Sequence, residues 1–419
     1  MSRLRAVLAA CGVLVGSSAF GASPDPKDLV VPPEELSKAR ELVRQLGNEG
    51  YREREQAQAE LAKMGRLARQ VLTEAVVSDA DPEVRHRVSR LLPKANALDL
   101  QARIDTFLAD KGGRYDHDLP GWNQFRAVVR NDFKLLGHTF PGNRELDRAA
   151  REVFVGLIEH PDNRRLVVAA ARPTSEFRSL VSDRRIELYN RKYGRVPGVP
   201  RKDPTLEEMT ALLFAESLVP SVFGARATSI SPLISTSGFT AAARDDDPKG
   251  RVYRAVAGAW LVSRTDPRDM YYALTIASNL GMKDELYRVS ARLLCAKGAT
   301  ASYRGRGATF LVNAGYAKYL RLVEPAMGDA AVVYTDRLSV LNDGKPEAKA
   351  YGVQARDMAL AVSVLLSGQE LEDYGFRDRY TGNAGGRSYA YTRYYFPDDA
   401  ARDAAFEKWK EWREENPDE

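Results

Sequence analysis

One residue pattern occurs twice near the N-terminus and constrains the fold of this chain more than any other feature. Residues 49–61 and residues 80–92 align at a fixed spacing. The aligned positions carry an arginine, a small or branched apolar residue and a leucine, in the pairs Arg54 and Arg85, Ala57 and Val88, and Leu61 and Leu92. Across residues 36–97, apolar residues recur every three or four positions, which is the spacing of one buried helical face. The stretch therefore predicts several short helices that each bury one face.

Residues that start and stop helices agree with this pattern. Gly65 can adopt the left-handed conformation that closes a helix. Asp81 can cap the next helix, and Pro82 suits its first turn because that position needs no amide hydrogen. Pro93 is expected to end the same helix. Because the connections are short, we expect neighbouring helices to run antiparallel and to cover each other's apolar faces.

The second copy, ADPEVRHRVSRLL at residues 80–92, resembles the second helix of a HEAT-like repeat, including its Asp-Pro-x-Val-Arg start. The resemblance covers residues 36–97 and implies stacked helix pairs, the arrangement of an α-solenoid. The spacing of the two copies is shorter than in most HEAT repeats and is similar to that of a short bacterial variety. An antiparallel helical bundle without repeats is the alternative interpretation.

Shorter patches extend this resemblance to exported bacterial proteins that begin with a HEAT-like module, a group without an established activity. The patches read HDLPGWNQF (117–125), QARDMALAV (354–362), EDYGF (372–376) and FEKWKEW (406–412). The resemblance implies a helical fold over most of the chain and does not imply a reaction.

Most of the remaining chain also shows helical apolar spacing. We expect an all-α fold in which the HEAT-like module is followed by an irregular α-solenoid or helical array, with a short extended aromatic segment and a capping C-terminal helix. The helical body spans residues 98–300, with a flexible loop near residues 224–250, where Ser, Thr, Ala and Gly are frequent. Residues 301–419 form a C-terminal helical region, with an inserted hairpin or loop at residues 335–352.

Two local signals in these later regions predict particular helices. Thr205 and Glu208 have the spacing of a capping box and predict the start of a helix. Near the C-terminus, Ala405, Trp409 and Trp412 share one helical face. We expect this last helix to dock on the body through its tryptophans.

The N-terminus has the pattern of a secretory signal peptide. Arg3 and Arg5 precede a stretch of apolar and small residues at 6–20. We expect residues 1–22 to be the signal peptide and residues 23–35 to be a linker. The protein is then exported to the periplasm or secreted.

Cysteine usage is consistent with this interpretation. Residues 8–11 have the form of a lipoprotein attachment box, so a lipid anchor on Cys11 is the alternative to cleavage. If the signal is removed, Cys295 is the only cysteine left, and an internal disulfide is excluded. Its apolar neighbours predict a buried, unreactive thiol.

No later segment is apolar enough to predict a transmembrane helix in the mature chain.

The composition indicates a folded globular protein and limits its partners. Hydrophobic residues make up 44% of the chain and charged residues 28%, as in ordinary globular domains. The formal net charge of +5 is too small to indicate nucleic-acid binding. We therefore expect the partner to be another protein or a component of the cell envelope. No cofactor motif and no metal-ligand spacing is present, so we expect neither a cofactor nor a bound metal.

One cluster of polar residues has the chemistry of a catalytic or metal site. Asp116, His117 and Asp118 are consecutive and lie in a glycine-rich loop. Carboxylate and imidazole groups serve both in metal binding and in acid–base catalysis. Three consecutive side chains do not all point at one ion, so a metal site here needs further ligands from other parts of the fold. The alternative is a structural loop in which Asp118 bonds backbone amides and caps the helix that begins near Trp122.

A second candidate site lies in the tyrosine-rich tail. Tyr389, Tyr391, Arg393 and Tyr395 alternate along the chain and would share one face of an extended segment. Aromatic rings with an arginine can bind sugars or bases. The alternative is that the segment fills a groove between helices while the hydroxyl groups reach water.

These observations favour a non-catalytic scaffold or protein-interaction module in the cell envelope, because repeat stacks offer extended binding surfaces. One alternative is a hydrolase of envelope polymers that uses Asp116 and His117. Another alternative is carbohydrate binding through the tyrosine-rich tail.

Overall fold

A computed structural model describes residues 22–78, 81–135, 144–172, 174–195, 197–219, 230–314, 317–342, 345–379 and 390–417. The fold is all-α, and the two sheets within these ranges are small. The chain forms two compact units, Met1–Leu119 and Pro120–Glu419. Residues 1–21, which hold most of the predicted signal peptide and Cys11, lie outside the described residues. Within the described ranges, no helix has the length and apolar character needed to cross a bilayer.

The first unit is built from helices at the predicted positions: α1 (Pro33–Gln45), α2 (Tyr51–Met64), α3 (Arg69–Ser78) and α4 (Pro82–Ala109). Its core takes apolar residues from all four helices, among them Ala39, Val43, Leu61, Leu72 and Val88. The prediction that each helix buries one face is confirmed.

The predicted caps are also present. Gly65 ends α2 with a φ of 54°, and its amide bonds the Leu61 carbonyl. Asp81 accepts a hydrogen bond from the Glu83 amide at 2.8 Å, directly before the first residue of α4, Pro82. The Asp81 carboxylate thereby satisfies one of the backbone amides that a helix start leaves without an intrahelical partner.

The prediction that Pro93 ends a helix is wrong. Helix α4 continues through Pro93 to Ala109. A proline inside a helix removes one backbone hydrogen bond and crowds the preceding turn. Val88, which precedes the proline in the helix, and Ala95, which follows it, are both buried in the core of the unit. Their burial offsets the local cost, so the helix is held on both sides of the proline.

The second unit contains the remaining helices: α5 (Trp122–Leu135), α6 (Arg144–Glu159), α7 (Pro161–Ala169), α8 (Ser175–Tyr193), α9 (Leu206–Ser217), α10 (Ser231–Thr236), α11 (Phe239–Arg244), α12 (Pro248–Ser263), α13 (Pro267–Leu280), α14 (Lys283–Cys295), α15 (Ala301–Ala314), α16 (Leu320–Val323), α17 (Ala355–Leu366) and α18 (Asp399–Glu415). Helix α12 is central, because α5, α6, α9, α11, α13 and α14 all pack against it. The predicted capping box of Thr205 and Glu208 begins α9.

The composition predicts a flexible loop near residues 224–250. This prediction is wrong for the described part of that range. Residues 231–244 form α10 and α11, and α12 begins at Pro248. Leu233 and Phe239 are buried and hold the two short helices to the body. The Asp247 carboxylate accepts the Gly250 amide at 2.6 Å and caps α12.

The predicted hairpin is present in the C-terminal region. Strands β1 (Val332–Asn342) and β2 (Lys345–Gln354) pair antiparallel. Two shorter strands, β3 (Arg377–Asp378) and β4 (Tyr394–Tyr395), form a second antiparallel pair. Helix α18 docks through buried Ala405 and Trp409, which confirms the predicted capping helix.

A network of buried charges connects four helices of the second unit. Arg185 of α8 lies 3.4 Å from Glu216 of α9 and 3.6 Å from Asp269 of α13. Arg264, directly after α12, lies 3.6 Å from Glu216 and 3.8 Å from Asp269. Burial lowers the pKa of Arg264 and raises the pKa of Asp269. Two cations and two carboxylates therefore balance each other inside the core.

Candidate functional sites

The predicted Asp116–Asp118 cluster lies in a loop that one aspartate at the end of α4 organises. Asp110 accepts the Arg114 amide at 3.0 Å and the Tyr115 amide at 3.1 Å. His117 Nε2 lies 3.0 Å from Asp110 Oδ2. The imidazole is 5% exposed and meets the Phe107 ring edge to face, at 5.3 Å between centroids. Asp110 could not be singled out from the sequence, because its only local signal is its position at a helix end.

The other two members of the cluster point elsewhere. The Asp118 side chain is 97% exposed and lies 3.5 Å from Arg103 Nη1. Asp116 is also exposed. Asp110, rather than Asp118, accepts the loop amides, so the role expected for Asp118 is corrected. Among the residues that the structure describes, no group of three or more His, Cys, Asp or Glu side chains is arranged to hold a metal ion.

A groove of about 390 Å³ opens on the first unit, beside the segment that precedes α1. Three guanidinium groups and a row of apolar side chains line it, together with His117: Pro26, Leu29, Val30, Val31, Leu36, Arg66, Arg69, Gln70, Asp99, Arg103, Asp118 and Leu119. We call this feature the arginine groove. Its volume is in the range of ligand-binding sites.

The polar groups of the arginine groove are fixed by contacts within the first unit. Arg66 donates to the Leu29 carbonyl at 2.9 Å and ties the segment before α1 to the helices. Asp99 lies 2.9 Å from Arg103 and 3.5 Å from Arg69. Val30, by contrast, is 71% exposed at the wall of the groove. The groove thus combines held cations with an apolar wall that faces solvent.

The tail forms a second site together with the hairpin. Tyr334 and Tyr351 lie on one face of the β1–β2 hairpin, because Asp336 pairs with Tyr351 across the strands and side chains alternate along each strand. Tyr391 meets Tyr334 edge to face at 5.6 Å between centroids. Tyr395 packs against Tyr351 at 4.5 Å. We call these four residues the tyrosine cluster.

One ion pair borders the tyrosine cluster, and a second joins β3 to the turn before β4. Arg379 pairs with Asp336, which also accepts the Tyr334 hydroxyl at 2.7 Å. This hydrogen bond raises the pKa of Tyr334. Arg393 donates to both oxygens of Asp378 at 2.9 Å.

The tail is only partly extended, which corrects one expectation. Tyr394 and Tyr395 form β4, whereas residues 391–393 form a turn closed by the Arg393 amide and the Ala390 carbonyl at 2.9 Å. Tyr389 lies outside the described residues. The structure places Tyr391 and Tyr395 against the hairpin and pairs Arg393 with Asp378 of β3. The sequence did not indicate these partners.

A cavity of about 360 Å³ lies at the start of α14. There Asp284 accepts the Tyr319 hydroxyl at 2.6 Å and the Lys318 ammonium at 3.2 Å. Burial and the bond to Asp284 raise the pKa of Tyr319 to about 12. The neighbouring Glu285 is 3% exposed, and burial raises its pKa as well.

Cys295 is less buried than predicted. Its thiol is half-buried near the Leu322 carbonyl, at 3.5 Å. Burial raises the thiol pKa, which keeps it protonated and a poor nucleophile.

Comparison with known proteins adds no assignment, because no family model, curated protein or solved structure matches this chain.

Proposed function

We propose that the protein is a non-catalytic binding protein of the cell envelope, and that the first unit holds a partner protein in the arginine groove. The observation that carries this proposal is the composition of the groove. Exposed Val30 offers apolar surface, while Arg66, Arg69 and Arg103 offer donors to backbone carbonyls or carboxylates of a bound segment. Apolar surface with arginine is typical of residues that dominate protein interfaces.

The distribution of exposed apolar residues supports the same proposal. In the described part of the chain, eleven large apolar residues are exposed. Six belong to the first unit, which is much the smaller of the two: Val30, Tyr51, Val77, Leu98, Leu108 and Tyr115. For its size the first unit therefore exposes more large apolar side chains than the second, and Val30 is the one of the six that lines the arginine groove. That the first unit is a HEAT-like repeat module is part of the proposal and rests on residues 36–97.

A comparison of two matched variants tests this function. Val30→Asp places a charge in the arginine groove, and Val199→Asp places one at an exposed valine of the second unit. The tagged full chain and both variants are incubated with an envelope extract, and captured proteins are quantified by mass spectrometry. We expect one partner to be captured by the wild type and by Val199→Asp but not by Val30→Asp. Equal capture by all three chains would contradict the proposal.

The envelope location is proposed from the sequence of residues 1–22. Fractionation of expressing cells, with the mass of the mature N-terminus, tests it. We expect the protein outside the cytoplasm, with a new N-terminus close to residue 22. A diacylglycerol on Cys11 would contradict cleavage at that position, and a cytoplasmic, uncleaved chain would contradict export.

The alternative proposal, a hydrolase of envelope polymers, is favoured by one observation. His117 lines the arginine groove and is oriented by the buried Asp110, as an acid–base histidine requires. His117→Ala and Asp116→Ala separate the two roles. If His117 is structural, His117→Ala lowers the melting temperature. In that case the wild type and both variants all fail to release dye from labelled peptidoglycan. Release by the wild type that His117→Ala abolishes without loss of stability would establish the hydrolase instead.

A further inference from the structure

We infer that the tyrosine cluster of the second unit is a binding site for a neutral oligosaccharide. The inference concerns a different unit from the arginine groove and does not depend on the proposed partner protein. Three separate segments of the chain converge at the tyrosine cluster: the hairpin, β3 and the tail.

The aromatic part of the site offers ring surface that is partly open to solvent. Tyr334, Tyr391 and Tyr395 are half-buried, and Tyr351 closes the base of the cluster at 8% exposure. Sugar rings have apolar C–H faces, and tyrosine offers both a flat apolar ring and a hydroxyl group that bonds other hydroxyls. Two χ angles restrain each tyrosine, so a ligand orders little side-chain freedom when it binds.

The polar part of the site is electrically balanced. Asp336 pairs with Arg379, and Asp378 pairs with Arg393. Each of these two pairs combines one carboxylate with one guanidinium group and is neutral. Each of the four side chains nevertheless keeps between 17% and 29% of its surface exposed. The exposed parts of these polar side chains can exchange hydrogen bonds with the vicinal hydroxyl groups of a sugar.

The backbone holds these groups in place. The Arg379 amide donates to the Arg393 carbonyl at 2.9 Å and continues the pairing of β3 with β4. On the other side, Tyr391 lies against α15, where its ring is within 2.2 Å of the position that a Cβ on Gly305 would occupy. A site fixed before the ligand arrives loses less free energy on binding. The fixed, partly open rings beside side chains that are already paired in charge favour a sugar as the ligand.

A glycan array probed with the labelled full-length protein tests the inference. We expect binding to neutral oligosaccharides, such as chitohexaose or cellohexaose, without preference for sulfated ones. Tyr395→Ala should weaken the best hit about tenfold, as loss of one aromatic contact predicts. Arg379→Gln should weaken it similarly, and Tyr193→Ala, at an exposed tyrosine of α8, should leave it unchanged.

A second measurement needs no variant and guards against misfolded mutants. Chemical nitration of the wild type is followed by peptide mass spectrometry, with and without the best glycan from the array. We expect the glycan to protect Tyr334, Tyr391 and Tyr395 and to leave Tyr193 reactive. Absence of any glycan binding, binding only to charged glycans, or binding without protection of these tyrosines would overturn the inference.

Discussion

Trp260 donates its indole N–H to Glu216 Oε2 at 2.6 Å in the core of the second unit. The same carboxylate lies beside two buried guanidinium groups, Arg185 and Arg264. Because all of these side chains are fully buried, water cannot replace any of the contacts. Glu216 therefore links α9 to α8 and to the end of α12 through buried polar contacts.

Removal of the Glu216 carboxylate should be among the most damaging single changes in the chain. Glu216→Ala leaves Arg185 and Arg264 with Asp269 as the nearest counter-charge. Breaking a buried ion pair costs about 3–5 kcal/mol. Urea unfolding of the full chain measures the loss. The control is Glu187→Ala, which removes a half-exposed partner of Arg184 and should cost at most about 1 kcal/mol. Similar losses for both variants would contradict the role of the network.

The tryptophan that docks the last helix provides a second prediction. Trp409 is 4% exposed and contacts Tyr374 and Trp412. Trp409→Ala should lower the free energy of unfolding by about 3–5 kcal/mol, as expected for a buried aromatic residue. Trp412→Ala, at a half-buried neighbour on the same helix, should cost clearly less. Thermal unfolding of both variants makes the comparison, and an unchanged melting temperature for Trp409→Ala would show that α18 does not depend on this contact.

Gly305 and Gly156 both lie inside helices, but their surroundings predict opposite effects of a methyl group. At Gly305 of α15, an added Cβ would meet the Tyr391 ring at 2.2 Å. At Gly156 of α6, the nearest atom is Glu207 Cγ at 4.0 Å. Gly156→Ala should stabilise by up to about 1 kcal/mol through helix propensity, while Gly305→Ala should destabilise by about 1–3 kcal/mol. Stabilisation by both alanines, measured by denaturant unfolding, would mean that Tyr391 does not pack on α15.

The burial of Glu285 predicts how stability depends on pH. Its folded pKa is raised because burial disfavours the charged form. A raised acid pKa lowers stability as pH rises above the ordinary value of 4.5 and has no effect well below it. Glu285→Gln should therefore be more stable than the wild type at pH 7, with a difference that disappears as pH falls below that value. Unfolding of both chains across this range measures the difference, and a gap that is independent of pH would contradict the assignment.

Much of the first unit was predictable because its signals are local. The Asp81–Pro82 start of α4 and the Gly65 end of α2 involve residues next to the helices they limit. Pro93 misled because a local helix breaker was outweighed by burial on both sides. Similarly, α10 and α11 form where the composition is typical of a loop, because Leu233 and Phe239 find a core to enter.

The candidate sites were less predictable because their partners are distant in sequence. Tyr391 and Tyr395 could be picked out from their spacing, but Tyr334 and Tyr351 become their neighbours only when the hairpin folds against the tail. Asp110 was missed for a related reason. Its carboxylate orders a loop by bonding amides and one imidazole, and no motif marks such a role.

Photo-crosslinking at the arginine groove tests the proposed function most directly. A photoreactive phenylalanine analogue replaces Val30 in one full-length chain and the exposed Val199 in another. Both are irradiated in the cells that produce the protein, and the products are separated by mass. The proposal predicts one discrete crosslinked partner from position 30 and none from position 199. No product at position 30, or the same products from both positions, would contradict binding through the first unit.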